Sequence, residues 1–416
     1  MSNPTLLAAS LPRRAFLQAV ALGAAGVALR DSRAAVASDP KTEVGQTGLS
    51  AARSTSVSEF KIEEPMQGAV MHHRLGRVLP KGLEIEVSGI APAGAQVLVQ
   101  GRPAARDGER FRGTALLSSR ETEIVATTQD RSAQRVRVLW DRHSRKRYRC
   151  VIDDNSFFLR DITQKGYASL FDCFYLKMLR DLHTRFGAKF TLNLYYTTAD
   201  EWNLSQFPAQ YRGEWNDHAD WLRLAFHAYA NEPAWPYEDA PVEKLLADLD
   251  LVSAQILRFA GPKVYSPPVV IHFGMTRPEA WKPLYQRGAR VLGGYFSRSA
   301  PTGKWTVNYR LDDARSEWLS RHDAIKDFPS GIIFSKVDIV VNSTPLEKIV
   351  PTLEPVVADP RQGEIVDVLT HEQYFWPFYE RYLPDHPQRL ERAIEFLTHL
   401  GYQPVFLQDG FLGGPA

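Results

Sequence analysis

The sequence predicts an α/β protein in which a small β-sandwich precedes a (β/α) barrel. Three observations predict it. Beyond residue 146, short apolar runs alternate with amphipathic stretches of helical period, the pattern of a parallel sheet joined by crossover helices. That span, about 270 residues, is the size of a barrel. Residues 66–140 instead alternate apolar and polar positions between closely spaced turn residues, as strands of a sandwich of roughly 75 residues do. Finally, Arg149-Cys150-Val151-Ile152 leads into Asp153-Asp154-Asn155, which reads as a buried strand that ends at a site. In a parallel barrel such strand ends converge on one mouth. Neighbouring side chains on a strand face opposite ways, so both carboxylates reach that mouth only where the chain bends.

From the N-terminus, residues 1–37 read as an export signal. Arg13-Arg14 precede a short, weakly hydrophobic run from Ala19 to Leu29, and Ala35-Val36-Ala37 fits a small-residue cleavage site. The run falls short of the about 20 apolar residues of a spanning helix. The twin arginines resemble a twin-arginine signal. Such a signal implies the twin-arginine translocase as a partner during export, a periplasmic or secreted protein, and no stable membrane anchor after cleavage. It suits a protein that loads a metal before it crosses.

Residues 38–62, rich in Ser, Thr, Ala and charge, are expected to be a flexible linker. The sandwich is expected over 63–145, with strands near 83–87, 97–101 and 135–140. Pro92-Ala93-Gly94 and Asp107-Gly108 mark turns between them, and His72-His73 reads as surface. The barrel is expected over 146–416. Its strands are read at 189–196, 221–226, 269–271, 290–292, 364–369 and 404–407, after the first one at Val151. Its helices are read at 167–186, 241–259, 278–287 and 387–400, the last three followed by Gly261, Gly288 and Gly401 as helix stops. Residues 296–350 are expected to form an insertion with strands of its own.

Composition excludes several classes. The chain has 50 basic and 48 acidic residues; 1–37 hold four arginines and one aspartate, which leaves 46 against 47 beyond them. A near-neutral chain has no electrostatic footprint for nucleic acid. The two cysteines, Cys150 and Cys173, make neither a disulfide scaffold nor a zinc ribbon and sit in segments that read as buried. There is no nucleotide-binding glycine fingerprint, no Gly-x-Ser-x-Gly elbow and no phosphate loop.

The strand ends carry the chemistry. The first gives Asp153 and Asp154, the third His227 with Asn231 and Glu232 behind it, and the fourth His272. A late strand ends in Thr370-His371-Glu372-Gln373-Tyr374, and the last in Gln408-Asp409. Carboxylates and imidazoles after successive strands are what a catalytic divalent metal needs: a few N/O ligands and an open position. Aromatic faces that could stack on sugar rings crowd the expected mouth, among them Tyr196, Trp221, Tyr374 and Trp376.

Over about residues 146–410 this order resembles the polysaccharide deacetylase, or NodB-type, superfamily. The resemblance implies a deformed (β/α) barrel, with Asp153 as general base, Asp154 and His227 as metal ligands, and His371, in Leu369-Thr370-His371, as general acid. The family's second histidine is replaced here by Asn231, so His272 is expected to supply the missing ligand with Asn231 as substitute. Ser266-Pro267-Pro268 lacks the arginine that steadies the base in the family. The cofactor implied is a divalent metal, zinc first, with nickel, cobalt or manganese as alternatives. The substrate implied is a poly- or oligosaccharide. The run 89–97 resembles small immunoglobulin-like modules. Two other readings stand beside this one. A glycoside hydrolase needs two carboxyl groups across one bond, from Asp153 or Asp154 with Glu372 or Asp409. A carbohydrate-binding protein that has lost its chemistry would explain Asn231 and the missing arginine.

Overall fold

A computed structural model of the chain describes residues 59–198 and 202–408. The segment read as an export signal, most of the stretch read as a linker over 38–62, and Asp409 lie outside the described residues. The described part is mixed α/β.

Two five-stranded sheets form first. One runs Lys61–Glu64, Gly82–Ile90, Arg110–Leu117, Ala105–Asp107, with Gly76–Leu79 also on Gly82–Ile90. The other runs Val70–Met71, Ala133–Trp140, Glu121–Thr128, Val97–Val99, Arg102–Pro103. The period-two pattern is met where it was read: Leu83, Ile85 and Val87 are buried, with Glu84 and Glu86 turned outward. The inner faces close tightly, because a Cβ on Gly113 would stand 2.7 Å from a methyl of Val99. One expectation fails at the edge. Lys61 and Ile62, read as linker, already pair with Ile90 and Gly89.

The second unit is built on a parallel sheet. Its order is Leu222–Ala228, Phe190–Tyr195, Arg147–Asn155, Ile365–His371, Ile339–Val340, with Gln403–Pro404 beside the start of Arg147–Asn155. The three strands of the middle are buried nearly throughout, on both faces, as in parallel sheets covered by helices. The helices Phe174–Phe186, Val242–Phe259 and His386–His399 cover it. The sequence missed the helix Phe157–Lys165, directly after the first strand, and also Arg212–Asp217, Asp313–Leu319 and Ile349–Ala358. It also placed the start of Phe174–Phe186 too early, since Leu170–Asp172 is a separate short turn.

Residues 269–271 form no strand, contrary to expectation. Their backbone still bridges, with Gly293 N bonding Val269 O at 2.8 Å, and the segment just before them joins the sheet edge through Leu224 N to Val264 O at 2.9 Å. Residues 296–350 are not a separate insertion either. Ile333–Lys336 pairs in parallel with Val291–Gly294, and the chain then continues into Ile339–Val340 on the main sheet. The two units touch along a seam. Lys326 N bonds Gly68 O at 2.8 Å, Trp318 Nε1 bonds Glu64 at 3.2 Å and Lys326 Nζ bonds Glu121 at 2.6 Å. His72 lies in this seam and is buried, against the surface reading. Cys150 and Cys173 are free and buried. No helix among the described residues is long and apolar enough to cross a membrane.

Candidate functional site

The C-terminal ends of the parallel strands open into a cavity of about 310 Å³. Two irregularities aim side chains into it. Between Ile152 and Asn155 the register against Phe190–Tyr195 slips, so three steps on one strand face two on the other. Asp154 there has φ +63°, a left-handed conformation that a non-glycine residue adopts at an energetic cost and that gathers at functional sites. The bulge is the bend that brings both aspartates to the mouth. A second slip lies between Leu194↔Phe226 and Tyr195↔Ala228, which leaves His227 unpaired on its strand. Bulges re-aim side chains in this way. His272 arrives from outside the ladders, beside Phe273 at φ +60°.

Asp154, His227 and His272 come together, all buried. His227 Nε2 is 3.1 Å from Asp154 Oδ1, His272 Nδ1 is 3.0 Å from His227 Nε2, and His272 Nδ1 is 3.6 Å from Asp154 Oδ1. The Tyr195 hydroxyl donates a short hydrogen bond to Asp154 and lies 3.2 Å from His272 Nδ1. Behind the cluster, His227 Nδ1 contacts Val270 O at 3.1 Å, which fixes the ring and leaves Nε2 facing the cavity.

Burial lifts the Asp153 carboxyl above its ordinary range, although His227 and His371 oppose it. Burial would lift Asp154 too, but the His227 hydrogen bond and the nearby His371 and His272 outweigh it and hold that carboxyl well below the usual range. Burial and the charge of His227 push His272 down to about 3. His227 goes the other way, because Asp153 and Asp154 outweigh its burial. Two adjacent aspartates are therefore pushed apart, one toward holding a proton and one toward staying ionised.

Asp153 sits directly across from His371 on the neighbouring strand. Two residues that the sequence reading passed over hold this pair. Asn193 Nδ2 donates to Asp153 Oδ1 at 2.6 Å, and Asn342 Oδ1 contacts His371 Nδ1 at 2.8 Å. The only signal for Asn193 was a lone amide in the apolar run Leu192-Asn193-Leu194.

The remaining candidates divide. Asn231 and Tyr374 line the cavity; the Asn231 amide oxygen reaches Tyr195 Oη at 3.2 Å. Glu372 does not line it. Its Oε2 accepts from Ser156 N at 2.6 Å and Phe157 N at 2.9 Å. Its Oε1 accepts from Phe158 N at 2.6 Å and Trp376 Nε1 at 3.1 Å. It caps the start of helix Phe157–Lys165, where free N–H groups favour an anion. Trp376 is thereby drawn into the same buried contact. Trp221 stands at the opposite end of its strand, stacked on His183 with centroids 4.7 Å apart. Tyr196 stacks on Tyr229, beside the cavity wall and not on it. The aromatic walls are instead Tyr374, Tyr379, Tyr295, Phe273 and the exposed Trp235.

No protein-family model matches the chain, and no curated protein matches it. Among solved structures, the 4-alpha-glucanotransferase of Thermococcus litoralis aligns with TM-score 0.42 and 12% identity over 64% of this chain. The chain spans 40% of that protein's length. A likeness so slight carries no argument about fold or function.

Proposed function

We propose that the chain is an exported, metal-dependent hydrolase that removes acyl groups from a poly- or oligosaccharide, on a deformed barrel of NodB type. The observation that carries this reading is the meeting of Asp154, His227 and His272 beside Asp153 and across from His371. In the same reading the two main sheets are one deformed barrel, joined through Val269 and through residues 333–340, and the two-sheet unit is immunoglobulin-like.

The donor set fits a metal. Zinc binds histidine nitrogen and carboxylate oxygen at about 2.0–2.2 Å in a tetrahedron, which puts ligand atoms roughly 3.3–3.5 Å apart. The three contacts here span 3.0 to 3.6 Å. Asp154, His227 and His272 would hold the ion, and Tyr195 adds a phenol oxygen to the same cluster. A divalent cation in that place supplies Lewis-acid polarisation of a carbonyl oxygen and lowers the pKa of water.

The chain's own residues supply the rest. Asp153 is fixed by Asn193 and kept basic by burial, so it can take a proton from an attacking water. His371, held by Asn342 on the facing strand, can protonate the leaving amine or alcohol. Tyr374, Tyr379 and Trp235 offer ring faces to a sugar. A glycosidase reading is weakened because Glu372, one of its two expected partner carboxylates beside Asp409, is engaged as a helix cap.

The test is acetate release from acetylated glycans by zinc-loaded protein beginning at residue 38. Release is expected for the wild type and absent in Asp154→Ala. Equal release by Asp154→Ala would overturn the assigned site, and no release from any acetylated glycan would overturn the activity.

A further inference from the structure

We propose that the seam between the two units holds a structural divalent cation, zinc in first place, on His72, His73 and Glu364, with Asp323 beside them. The four side chains come from both units. His72 and His73 belong to the two-sheet unit, Asp323 precedes the strand Ala324–Lys326, and Glu364 precedes Ile365–His371. Ligand atoms of His72, His73 and Glu364 all lie within 4.8 Å of one another. His73 Nδ1 is 3.7 Å from Glu364 Oε1, and His72 Nε2 is 3.9 Å from Asp323 Oδ2.

The second observation is a set of buried polar atoms left without partners. His72 Nε2, Glu364 Oε2 and Asp323 Oδ1 have no hydrogen-bond partner among the described residues, and all three residues are more than nine-tenths buried. Buried polar groups are nearly always paired, and each exception calls for a cause. Arg74 N donates to His72 Nδ1 at 3.3 Å, which leaves the ring proton on Nε2 and turns that nitrogen toward the carboxylates; a cation at Nε2 would take the place of that proton and release the long bond. Ser144 Oγ donates to Glu364 Oε1 at 2.6 Å and lies 2.7 Å from His73 Nδ1, so Glu364 Oε2 is the oxygen left free.

The nearby guanidinium does not resolve the charge. Arg147 Nη2 pairs with Asp141 at 2.7 Å, and Asp323 Oδ2 accepts from Glu364 N at 3.2 Å and Ile365 N at 3.3 Å, yet one oxygen of each carboxyl, Asp323 Oδ1 and Glu364 Oε2, stays without a partner. Burying a polar oxygen without a partner is unfavourable. Two imidazoles and the Glu364 carboxylate, with Asp323 3.9 Å from His72, are the kind of N/O set that holds a structural zinc. Such an ion would pin the two-sheet unit to the start of the strand that ends in His371. It is independent of the cavity and does not require the proposed activity.

The experiment separates the two sites. Protein from residue 38 is prepared as wild type, as Asp154→Ala/His227→Ala, and as that double variant with His73→Ala. His73 is half-exposed, so its loss should leave the fold intact, which the metal-free Tm checks. Each is loaded with zinc chloride, desalted, and measured for zinc content and for Tm. The double variant should retain about one equivalent and show a zinc-dependent rise of several degrees, since a ligand that binds only the folded state stabilises it. Adding His73→Ala should remove both the equivalent and the rise. A double variant without zinc, or a triple variant that keeps its zinc and its rise, would overturn the seam site. A double variant with as much zinc as wild type would support the seam and remove the cavity metal instead.

Discussion

Strands Arg147–Asn155 and Ile365–His371 run side by side, and ionisable groups gather at both ends of the pair, yet the ends differ. At their starts, Arg147 and Glu364 are buried together with His72 and Asp323 in the seam between the two units. At their finishes, Asp153, Asp154 and His371 face an open cavity. The starts carry an ion pair and unpartnered buried atoms. The finishes carry bulges, a left-handed aspartate and two aspartates pushed in opposite directions. Chemistry needs access and re-aimed side chains, whereas stability needs closure. On the proposed function, one pair of strands divides the two tasks between its ends, the division known for parallel barrels.

Variants at the finishes should therefore change turnover and leave stability nearly alone, and variants at the starts should do the reverse. The largest effect is expected at the base. Asp153→Asn should lower kcat by about 10²–10⁴-fold, the usual weight of a general base, with Tm and zinc content unchanged. A loss of Tm equal to that of a start variant would erase the distinction.

Arg147→Met should cost about 3–5 kcal/mol in urea unfolding, because it leaves Asp141 buried and unpaired. Turnover per folded molecule should stay at the wild-type value, and a fall in it would show that the two ends are coupled.

A pH series sharpens the same comparison at the finish end. Burial, with Arg389 and His371 near, pushes His386 down from 6.5 to about 3. An unfolded chain takes up this proton below 6.5 while the folded chain does not. The stability that His386 contributes is thus whole above pH 6.5 and lost as pH falls toward 3. At pH 5 the loss is on the order of 2 kcal/mol. His386→Gln should flatten the pH 7 to pH 5 decline in unfolding free energy by that amount, and an unaltered decline would assign it to other groups. The smallest effect is expected at the rim. Trp235→Ala should raise KM by about 2- to 10-fold, from about 0.5–1.5 kcal/mol of ring contact, with kcat unchanged.

The positions legible in the sequence share one property. Asp153, Asp154, His227 and His371 each follow an apolar run, so a local period marks both the strand and its end. Glu372 follows such a run as well, and it reads equally as a catalytic carboxylate or as a cap; it is a cap. Its partner Ser156 lies 216 residues away, and no local pattern shows that a helix start will stand beside it. Trp221 misled for a different reason. It precedes its strand, so it falls at the far end from the cavity, and aromatic content alone does not tell the two ends apart.

The sequence by itself determined the order of strands and helices, the change from period two to alternating β and α, and which carboxylates and imidazoles end strands. These follow from side-chain periodicity and backbone preference, which act over a few residues. Tertiary structure alone decided that Asn193 and Asn342 hold the pair Asp153 and His371, that Glu372 caps a helix, and that His72 is buried. Those outcomes rest on bulges and on contacts between segments distant along the chain. Their energies depend on packing in space, which no local pattern encodes.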